Sequence, residues 1–176
     1  PQNRERTFII CFLEGKDAHL DSSKPMTHEF KMLFPPKKVT TMKDFKKMMG
    51  KEVDDKFFYK KDKYMYKELK ENIKSKDTFY QWRRQYVREN KSQVCPTLTA
   101  NMGTGGHNVP LILTDDGIRK LTPKECFLLQ GFPKSFKLPN DVANSHLYKQ
   151  AGNSVTVKMI EVLAKIIKLC LDKNIK

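Results

Sequence analysis

The chain opens with a predicted strand that has no evident partner. After Pro1–Arg6, the residues Thr7–Leu13 are mostly β-branched, aromatic or otherwise apolar, which favours a strand inside a sheet. A buried strand needs neighbouring strands, yet the residues that follow, with Gly15 and Pro25 among them, are typical of loops. We therefore expect residues 1–15 to supply one strand to a sheet that lies largely outside this chain.

Length and charge narrow the class of protein. The 176 residues suit one domain, and the 34 Lys+Arg against 20 Asp+Glu give a formal net charge of +14. Such a charge favours a polyanionic partner. Nucleic acid is expected rather than a membrane, because no apolar run is long enough to cross a bilayer. Lysine is densest in residues 31–76, where a solvated surface and a phosphate-binding role both stay open.

The cysteines and histidines indicate neither a disulfide framework nor a metal site. They are widely spaced, without a C-x-x-C pair: Cys11, Cys95, Cys126, Cys170, His19, His28, His107 and His146. We expect reduced thiols in a cytoplasmic protein and no bound metal. Three of the thiols are expected to be buried, whereas for Cys95, which precedes Pro96, a reactive thiol stays open.

Local patterns predict short helices at 42–49 and 62–74 and strands between Phe79 and Leu113. A glycine-rich loop, Met102–His107, interrupts these strands. Because glycine tolerates conformations that other residues avoid, we expect this loop to expose its backbone.

Two later helices have clearer boundaries. Thr122 is a capping residue, Pro123 suits the first helical position, Glu125 completes a capping box, and Gly131 can end the helix. A longer amphipathic helix is predicted to begin after Gly152–Ser154. Its apolar side would consist of Val157, Ile160, Leu163, Ala164, Ile167 and Leu171.

Three short strings carry the functional signal: Pro1–Arg6, then Arg119–Cys126 continuing to Pro133, and finally Tyr148–Val155. In this order and at these separations they resemble the last three sequence blocks of the cytosine-5 DNA methyltransferases. The resemblance runs nearly from end to end. It implies an α+β fold in which a small mixed target-recognition domain is flanked by a strand and a C-terminal helix. Those two flanking elements belong to the α/β, Rossmann-like methyltransferase domain of the family.

The resemblance divides the chain into three parts. Residues 1–15 would be a strand of the catalytic domain, residues 16–145 the DNA-binding target-recognition domain, and residues 146–176 the cofactor-pocket block with the closing helix. The second string would brace the recognition domain.

The first string places two positive charges on one face of a strand. Arg4 and Arg6 alternate with other residues, so their side chains point the same way, with Gln2 beside them. In the family the last arginine of Gln-x-Arg-x-Arg reaches the flipped cytosine, which implies a catalytic role for Arg6 with Arg4 in support. A permanently charged fork suits a ring that gains charge under nucleophilic attack. A solvated strand end is the alternative.

The third string is expected to start the closing helix. Free backbone N–H groups at Asn153 and Ser154 would then favour an anionic or polar ligand. The resemblance implies that Asn153, Ser154 and Val155 complete part of an S-adenosylmethionine pocket. Plain helix capping is the alternative, and it is compatible with the pocket.

The region between the first two strings has the chemistry of DNA readout. Tyr80–Arg88 interleaves arginine, amide and aromatic side chains, which can bind base edges in the major groove. The predicted contacts there are Arg83, Arg84, Gln85 and Arg88. The following loop matches the family's second recognition loop, with Thr97, Leu98, Asn101, Thr104 and His107 as candidate contacts, although a plain hairpin turn stays open. Two adjacent arginines fit a GG-N-CC type of site, but the sequence leaves the recognised site undetermined.

Several family motifs are absent from these residues. No Pro-Cys nucleophile, Glu-Asn-Val string or early glycine motif occurs, and Cys95-Pro96 has the reverse order. We therefore expect the C-terminal part of an enzyme that transfers methyl from S-adenosylmethionine to C5 of a flipped cytosine, in a restriction-modification system. Its partners would be double-stranded DNA and an N-terminal catalytic part or separate subunit, and this chain alone would be inactive. The alternatives are a non-catalytic DNA-binding module or specificity subunit, and an RNA-modifying relative.

Overall fold

A computed structural model describes residues 7–10, 40–50, 52–83, 85–104 and 108–174 of the protein. Two compact units are present. Among the described residues, one unit contains those between 40 and 156, and the other contains 7–10 together with 157–174. They are described separately below.

A four-stranded antiparallel sheet organises the first unit. Its strands are β1 Tyr80–Arg83, β2 Tyr86–Glu89, β3 Leu111–Thr114 and β4 Gly117–Lys120, in the order β2-β1-β3-β4. Both sequential pairs are tight antiparallel ladders, whereas β1 meets β3 only at Tyr80 and Leu111. The sheet is therefore two hairpins joined side by side.

Helices surround this sheet. They are α1 Met42–Lys46, α2 Tyr66–Asn72, α3 Pro123–Leu129 and α4 Asn144–Asn153, with 3₁₀ turns at Asp55–Phe57 and Ala100–Gly103. The mixed α+β architecture expected from the sequence is confirmed. The short predicted helices are present but shorter than 42–49 and 62–74, although Met48, Met49 and Ile73, beyond their C-terminal ends, still pack in the apolar clusters.

Two apolar clusters hold the first unit together. The larger one joins α1, α3 and α4 through residues such as Phe45, Phe127 and Tyr148. The smaller one lies where α2 packs on the sheet and includes Leu69 and Tyr80. On β1 and β2 one face packs into the smaller cluster, which leaves the opposite face for other tasks. On β3 both faces are buried, because Leu111 belongs to the smaller cluster and Ile112 to the larger one.

Helix α3 has the ends that the sequence predicts. Thr122 and Glu125 form the capping box: the Glu125 N–H donates to Thr122 Oγ1 at 3.2 Å and the Thr122 N–H donates to Glu125 Oε2 at 2.8 Å. Past the helix, Gly131 has φ of +88°, a conformation that glycine adopts freely. The N–H groups of Gly131 and Phe132 donate to Leu128 and Phe127, which is a Schellman ending.

The second unit contains residues 7–10 and helix α5, Val157–Asn174. Residues 7–10 belong to no helix or strand, so the strand predicted for Thr7–Leu13 is not seen among its described residues. On α5, Leu163 and Ile166 are buried, whereas Ile160 and Leu171 are exposed. The residues of the predicted apolar side thus differ in burial within this chain. Across the residues described above, no helix has the length and apolar character needed to cross a membrane.

Candidate nucleic-acid interface

The β1–β2 hairpin has two chemically distinct faces. Gln81 lies opposite Arg88, and Arg83 lies opposite Tyr86, so these four side chains share one face. The side chains on the other face, among them Trp82, pack into the smaller apolar cluster. The interleaved pattern that suggested DNA readout therefore has a structural cause: every second residue is free to face a partner.

The segment Thr97–Thr104 supplies the second set of polar groups. Leu98 is 0% exposed and Met102 is 1% exposed, so both side chains anchor the segment in the core. Their neighbours Thr97, Thr99 and Asn101 are at least partly accessible. The Thr104 hydroxyl donates to the Asn101 carbonyl at 2.8 Å, which tightens the end of the 3₁₀ turn.

The hairpin face and this segment together border a cleft of about 290 Å³. Its lining consists of Gln81, Arg83, Arg88, Asn90, Pro96, Thr97, Thr99, Asn101 and Asn108. Two guanidinium groups, four amides and two hydroxyls provide both hydrogen-bond donors and acceptors. None of the described lining residues is acidic. This chemistry suits base edges and phosphate oxygens.

The two arginines of the cleft are electrostatically available. Neither Arg83 nor Arg88 forms an ion pair with a described residue. Arg119, by contrast, is buried and held by a carboxylate. A permanently charged donor without a protein partner is suited to an anionic ligand.

The structure brings together several residues that the sequence predicted. Arg83, Arg88, Thr97 and Asn101 all line the cleft. Gln85 is exposed beside Arg83, and its N–H donates to the Arg83 carbonyl at 2.6 Å. Thr104 is exposed at the end of the adjoining segment. Arg84 and His107 lie outside the described residues.

The side chain of one predicted contact is buried, and four residues that line the cleft were not among the predicted contacts. Leu98 was predicted to bind DNA, but alternation along its extended segment turns this side chain into the core. The segment is not a plain strand either, because Ala100–Gly103 forms a 3₁₀ turn. The missed residues are Gln81, Asn90, Thr99 and Asn108. Gln81 was detectable, since it lies two residues from Arg83 on the same strand.

The Asn153–Val155 block occupies a different position from the one expected. Asn153 is the last residue of α4, and Ser154 is its C-cap, while α5 begins only at Val157. The Ser154 N–H donates to the Gln150 carbonyl at 2.9 Å, and Ser154 Oγ donates to the Ala151 carbonyl at 2.8 Å. These two bonds make Ser154 the end of α4. Asn153 and Ser154 therefore do not begin the closing helix.

Hydrogen bonds join the Arg119–Pro133 string to the Tyr148–Val155 string. Gln130 Nε2 donates to the Ala151 carbonyl at 2.8 Å, and Thr156 Oγ1 donates to Gln130 Oε1 at 3.3 Å. The Tyr148 hydroxyl donates to the Leu121 carbonyl. Burial raises the pKa of Tyr148, so this phenol stays protonated and remains a donor at neutral pH. These hydrogen bonds thus join both strings into one scaffold.

Two further groups of predictions concern the first string and the thiols. Gln2, Arg4 and Arg6 lie outside the described residues. Cys95 and Cys126 are free and buried, and burial raises the pKa of each thiol. This environment argues against a reactive Cys95. No group of three or more potential metal ligands occurs in the part of the chain that the structure describes.

Comparison with known sequences identifies a matching family and several relatives. The sequence model described as "C-5 cytosine-specific DNA methylase" matches residues 1–169. The chain is 53% identical over 166 residues to "Type II methyltransferase M.Bsp6I" of Bacillus sp. (strain RFL6), covering 94% of this chain and 49% of the relative.

Two further relatives match with lower identity. "Type II methyltransferase M.SsoII" of Shigella sonnei is 31% identical, with 98% of this chain and 42% of the relative covered. "Type II methyltransferase M1.ScrFI" of Lactococcus lactis subsp. cremoris is 30% identical, with 100% and 42% covered. The chain therefore spans half or less of the length of these curated relatives.

Proposed function

The chain belongs to the C-5 cytosine-specific DNA methylase family, and from this premise we propose that it is the target-recognition part of a DNA cytosine-5 methyltransferase. The observation that carries the proposal is the cleft in which Arg83 and Arg88 meet the amides of the neighbouring segment. In such a cleft the guanidinium groups bind guanine edges, the amides bind adenine or other polar edges, and the hydroxyls bind either. Double-stranded DNA is the proposed substrate.

The proposed reaction transfers a methyl group to C5 of a cytosine extruded from the duplex. A cysteine supplied by the catalytic part would add to C6, and once C5 carries the methyl group, loss of the C5 proton to a base of that part would break the C6–S bond and release the cysteine. A glutamate of that part would stabilise N3, and Arg6 would hold the ring with Arg4 and Gln2 in support. The contribution of this chain is site choice and positioning of the extruded base. Alone it is proposed to be inactive, and the complete enzyme is proposed to act in a cytoplasmic restriction-modification system.

The residues of the Asn153–Val155 block fit one side of an S-adenosylmethionine site. The Asn153 side chain is exposed and can both donate and accept hydrogen bonds. Because it ends α4 instead of starting a helix, the local dipole favours a positive charge. S-adenosylmethionine carries a sulfonium, and when bound it supplies the methyl group. Asn153 would orient polar groups of this cofactor, with Ser154 and Val155 shaping the turn.

The test uses the complete enzyme, in which this chain is combined with the catalytic part. Transfer of labelled methyl from S-adenosylmethionine to C5 of cytosine in duplex oligonucleotides is the expected result. Arg6→Ala should lower turnover on every substrate sequence and leave the ranking of sites unchanged, because Arg6 acts on the cytosine common to all sites.

Other outcomes select the alternatives. Tight, sequence-specific duplex binding without any methyl transfer would replace the proposal with a non-catalytic DNA-binding module. Methylation of RNA in preference to duplex DNA would indicate the RNA-modifying relative. A change of site ranking in Arg6→Ala would contradict the role given to that residue.

A further inference from the structure

Helix α4 packs against the segment Thr97–Thr104, called the reading segment below. At Gly152 the two backbones are so close that no residue with a Cβ atom fits. A methyl group placed on the Cα of Gly152 would lie 2.1 Å from the carbonyl carbon of Thr99 and 2.4 Å from the backbone nitrogen of Ala100. These are backbone atoms, so no side-chain rotation relieves the clash. Only glycine at this position lets the helix and the segment meet at this separation.

A second glycine makes the reciprocal contact at the other end. A methyl group on Gly103 would lie 2.4 Å from the Ser145 carbonyl oxygen and 3.0 Å from Cβ of Lys149. The segment from Thr99 to Gly103 therefore runs along α4 with backbone contact at both ends. One glycine belongs to the helix and the other to the segment, so the fit does not depend on a single position.

Packing between these contacts leaves little freedom for independent motion. Met102, Leu98, Tyr148 and Ala151 are members of the same apolar cluster, and each is almost fully buried. The Met102 N–H also donates to the Thr99 carbonyl at 3.1 Å. Tightly packed interiors transmit displacements instead of absorbing them.

We propose that Gly152 and Gly103 are positioning residues for DNA recognition, fixing the segment that carries Thr97, Thr99 and Asn101 against α4. The inference rests on the function proposed above. Since Asn153 directly follows Gly152, the same contact links the reading segment to the Asn153–Val155 block. A displaced backbone at Thr99 would move the cleft groups away from the base edges.

The experiment compares Gly152→Ala and Gly103→Ala in the complete enzyme with Gly50→Ala as the control. A methyl group on Gly50 has only the Glu52 carbonyl oxygen nearby, at 3.6 Å, which is an ordinary contact. The measurements are kcat and KM on the preferred duplex and on single-base variants, together with the thermal midpoint. Misplacement by about 1 Å costs on the order of 10²-fold in rate.

The expected result is a fall in kcat/KM of on the order of 10–10²-fold on the preferred site, from displacement of this size. On the single-base variants kcat/KM should fall less, so the differences in kcat/KM between sites become smaller. Gly50→Ala should match the wild type. A purely structural role would only reduce the folded fraction, which scales all rates equally and leaves KM and ranking unchanged. That second pattern would overturn the inference.

A measurement on the wild-type enzyme covers the case in which the alanine variants do not fold. Addition of S-adenosylmethionine without DNA should slow amide hydrogen exchange in residues 99–104, because α4 connects this segment to the Asn153–Val155 block. Unchanged exchange there, in an enzyme shown to bind the cofactor, would overturn the link. If the wild type methylates no duplex at all, the proposed function fails instead, which separates the two failures.

Discussion

The buried pair of Arg119 and Glu125 illustrates how one side chain serves two elements. Arg119 on β4 donates from Nη1 to Glu125 Oε2 at 2.8 Å and from Nη2 to Oε1 at 2.7 Å. The two side chains are 1% and 3% exposed. Glu125 also closes the capping box of α3 with Thr122. Strand, cap and helix therefore depend on one carboxylate.

Removal of one partner of this pair should be more damaging than removal of both. Glu125→Ala leaves a buried guanidinium without its counter-charge, so we expect a loss of about 3–5 kcal/mol in the free energy of unfolding. The double variant Arg119→Met/Glu125→Leu should recover most of that loss, because no charge remains buried. Denaturant unfolding of the three proteins is the measurement. Equal losses for the single and double variants would contradict this account.

The buried thiols give a second prediction at the residue scale. Burial raises the pKa of Cys95, so the reactive thiolate is scarce in the folded protein at neutral pH. We expect iodoacetamide to leave Cys95 unmodified in native protein and to modify it rapidly in denaturant, as read by peptide mass spectrometry. Unfolded thiols ionise near about pH 8.5, so stability should fall as the pH rises above that value. Rapid native labelling of Cys95 would restore the reactive-thiol interpretation.

At the scale of elements, a helix boundary could be predicted from the sequence when the residues that determine it lie close to it in the chain. Both ends of α3 were predictable, because Thr122, Glu125 and Gly131 act within one turn of the helix end. The start of α5 was not, because the break at Ser154 depends on hydrogen bonds that Gln130 and Thr156 make across the fold. The burial of Leu98 was not predictable for the same reason, because only the tertiary core shows which side chains of this segment turn inward.

Substitutions on the two faces of the β1–β2 hairpin should affect site preference differently. Arg83→Ala in the complete enzyme should cost on the order of 1–3 kcal/mol of discrimination and relax preference at one base position, if its guanidinium binds a guanine edge. Glu89→Ala is the matched control, since Glu89 pairs with Tyr80 and so lies on the opposite face. Methylation rates over all single-base variants of the site measure both effects. Uniform weakening by Arg83→Ala across the panel would assign this arginine to phosphate contact instead.

At the scale of the whole molecule, the order of the three strings predicted the family, but the composition of the cleft needed the structure. Asn90 and Asn108 lie in separate loops, and no spacing rule connects them with Gln81. They meet because β1 pairs with both β2 and β3, which is a consequence of tertiary packing. Linear patterns identify chemistry carried by one segment, whereas a cleft built from several segments requires their arrangement in space.

Some of the surface lysines form ion pairs with aspartates, whereas others remain available to bind a polyanion. Lys46, Lys56 and Lys60 lie 2.6–2.9 Å from an aspartate, and Lys76 pairs with Asp115. These exposed pairs add little stability. Lys91, which follows the cleft residue Asn90, forms no ion pair with any described residue. The formal charge of +14 therefore overstates what a polyanion can use.

Salt dependence distinguishes these lysines in the complete enzyme. Affinity for duplex DNA should fall steeply between roughly 50 and 200 mM salt, because each neutralised phosphate contributes a slope of about −0.9 in log K against log salt. Lys91→Ala should make this slope shallower by about one unit and weaken all duplexes alike, since phosphate contact carries no sequence information. Lys60→Ala is the control, because Lys60 is paired with Asp55 at 2.6 Å and lies away from the cleft lining. An unchanged slope for Lys91→Ala, or an equal change for Lys60→Ala, would show that net charge rather than the cleft margin governs DNA binding.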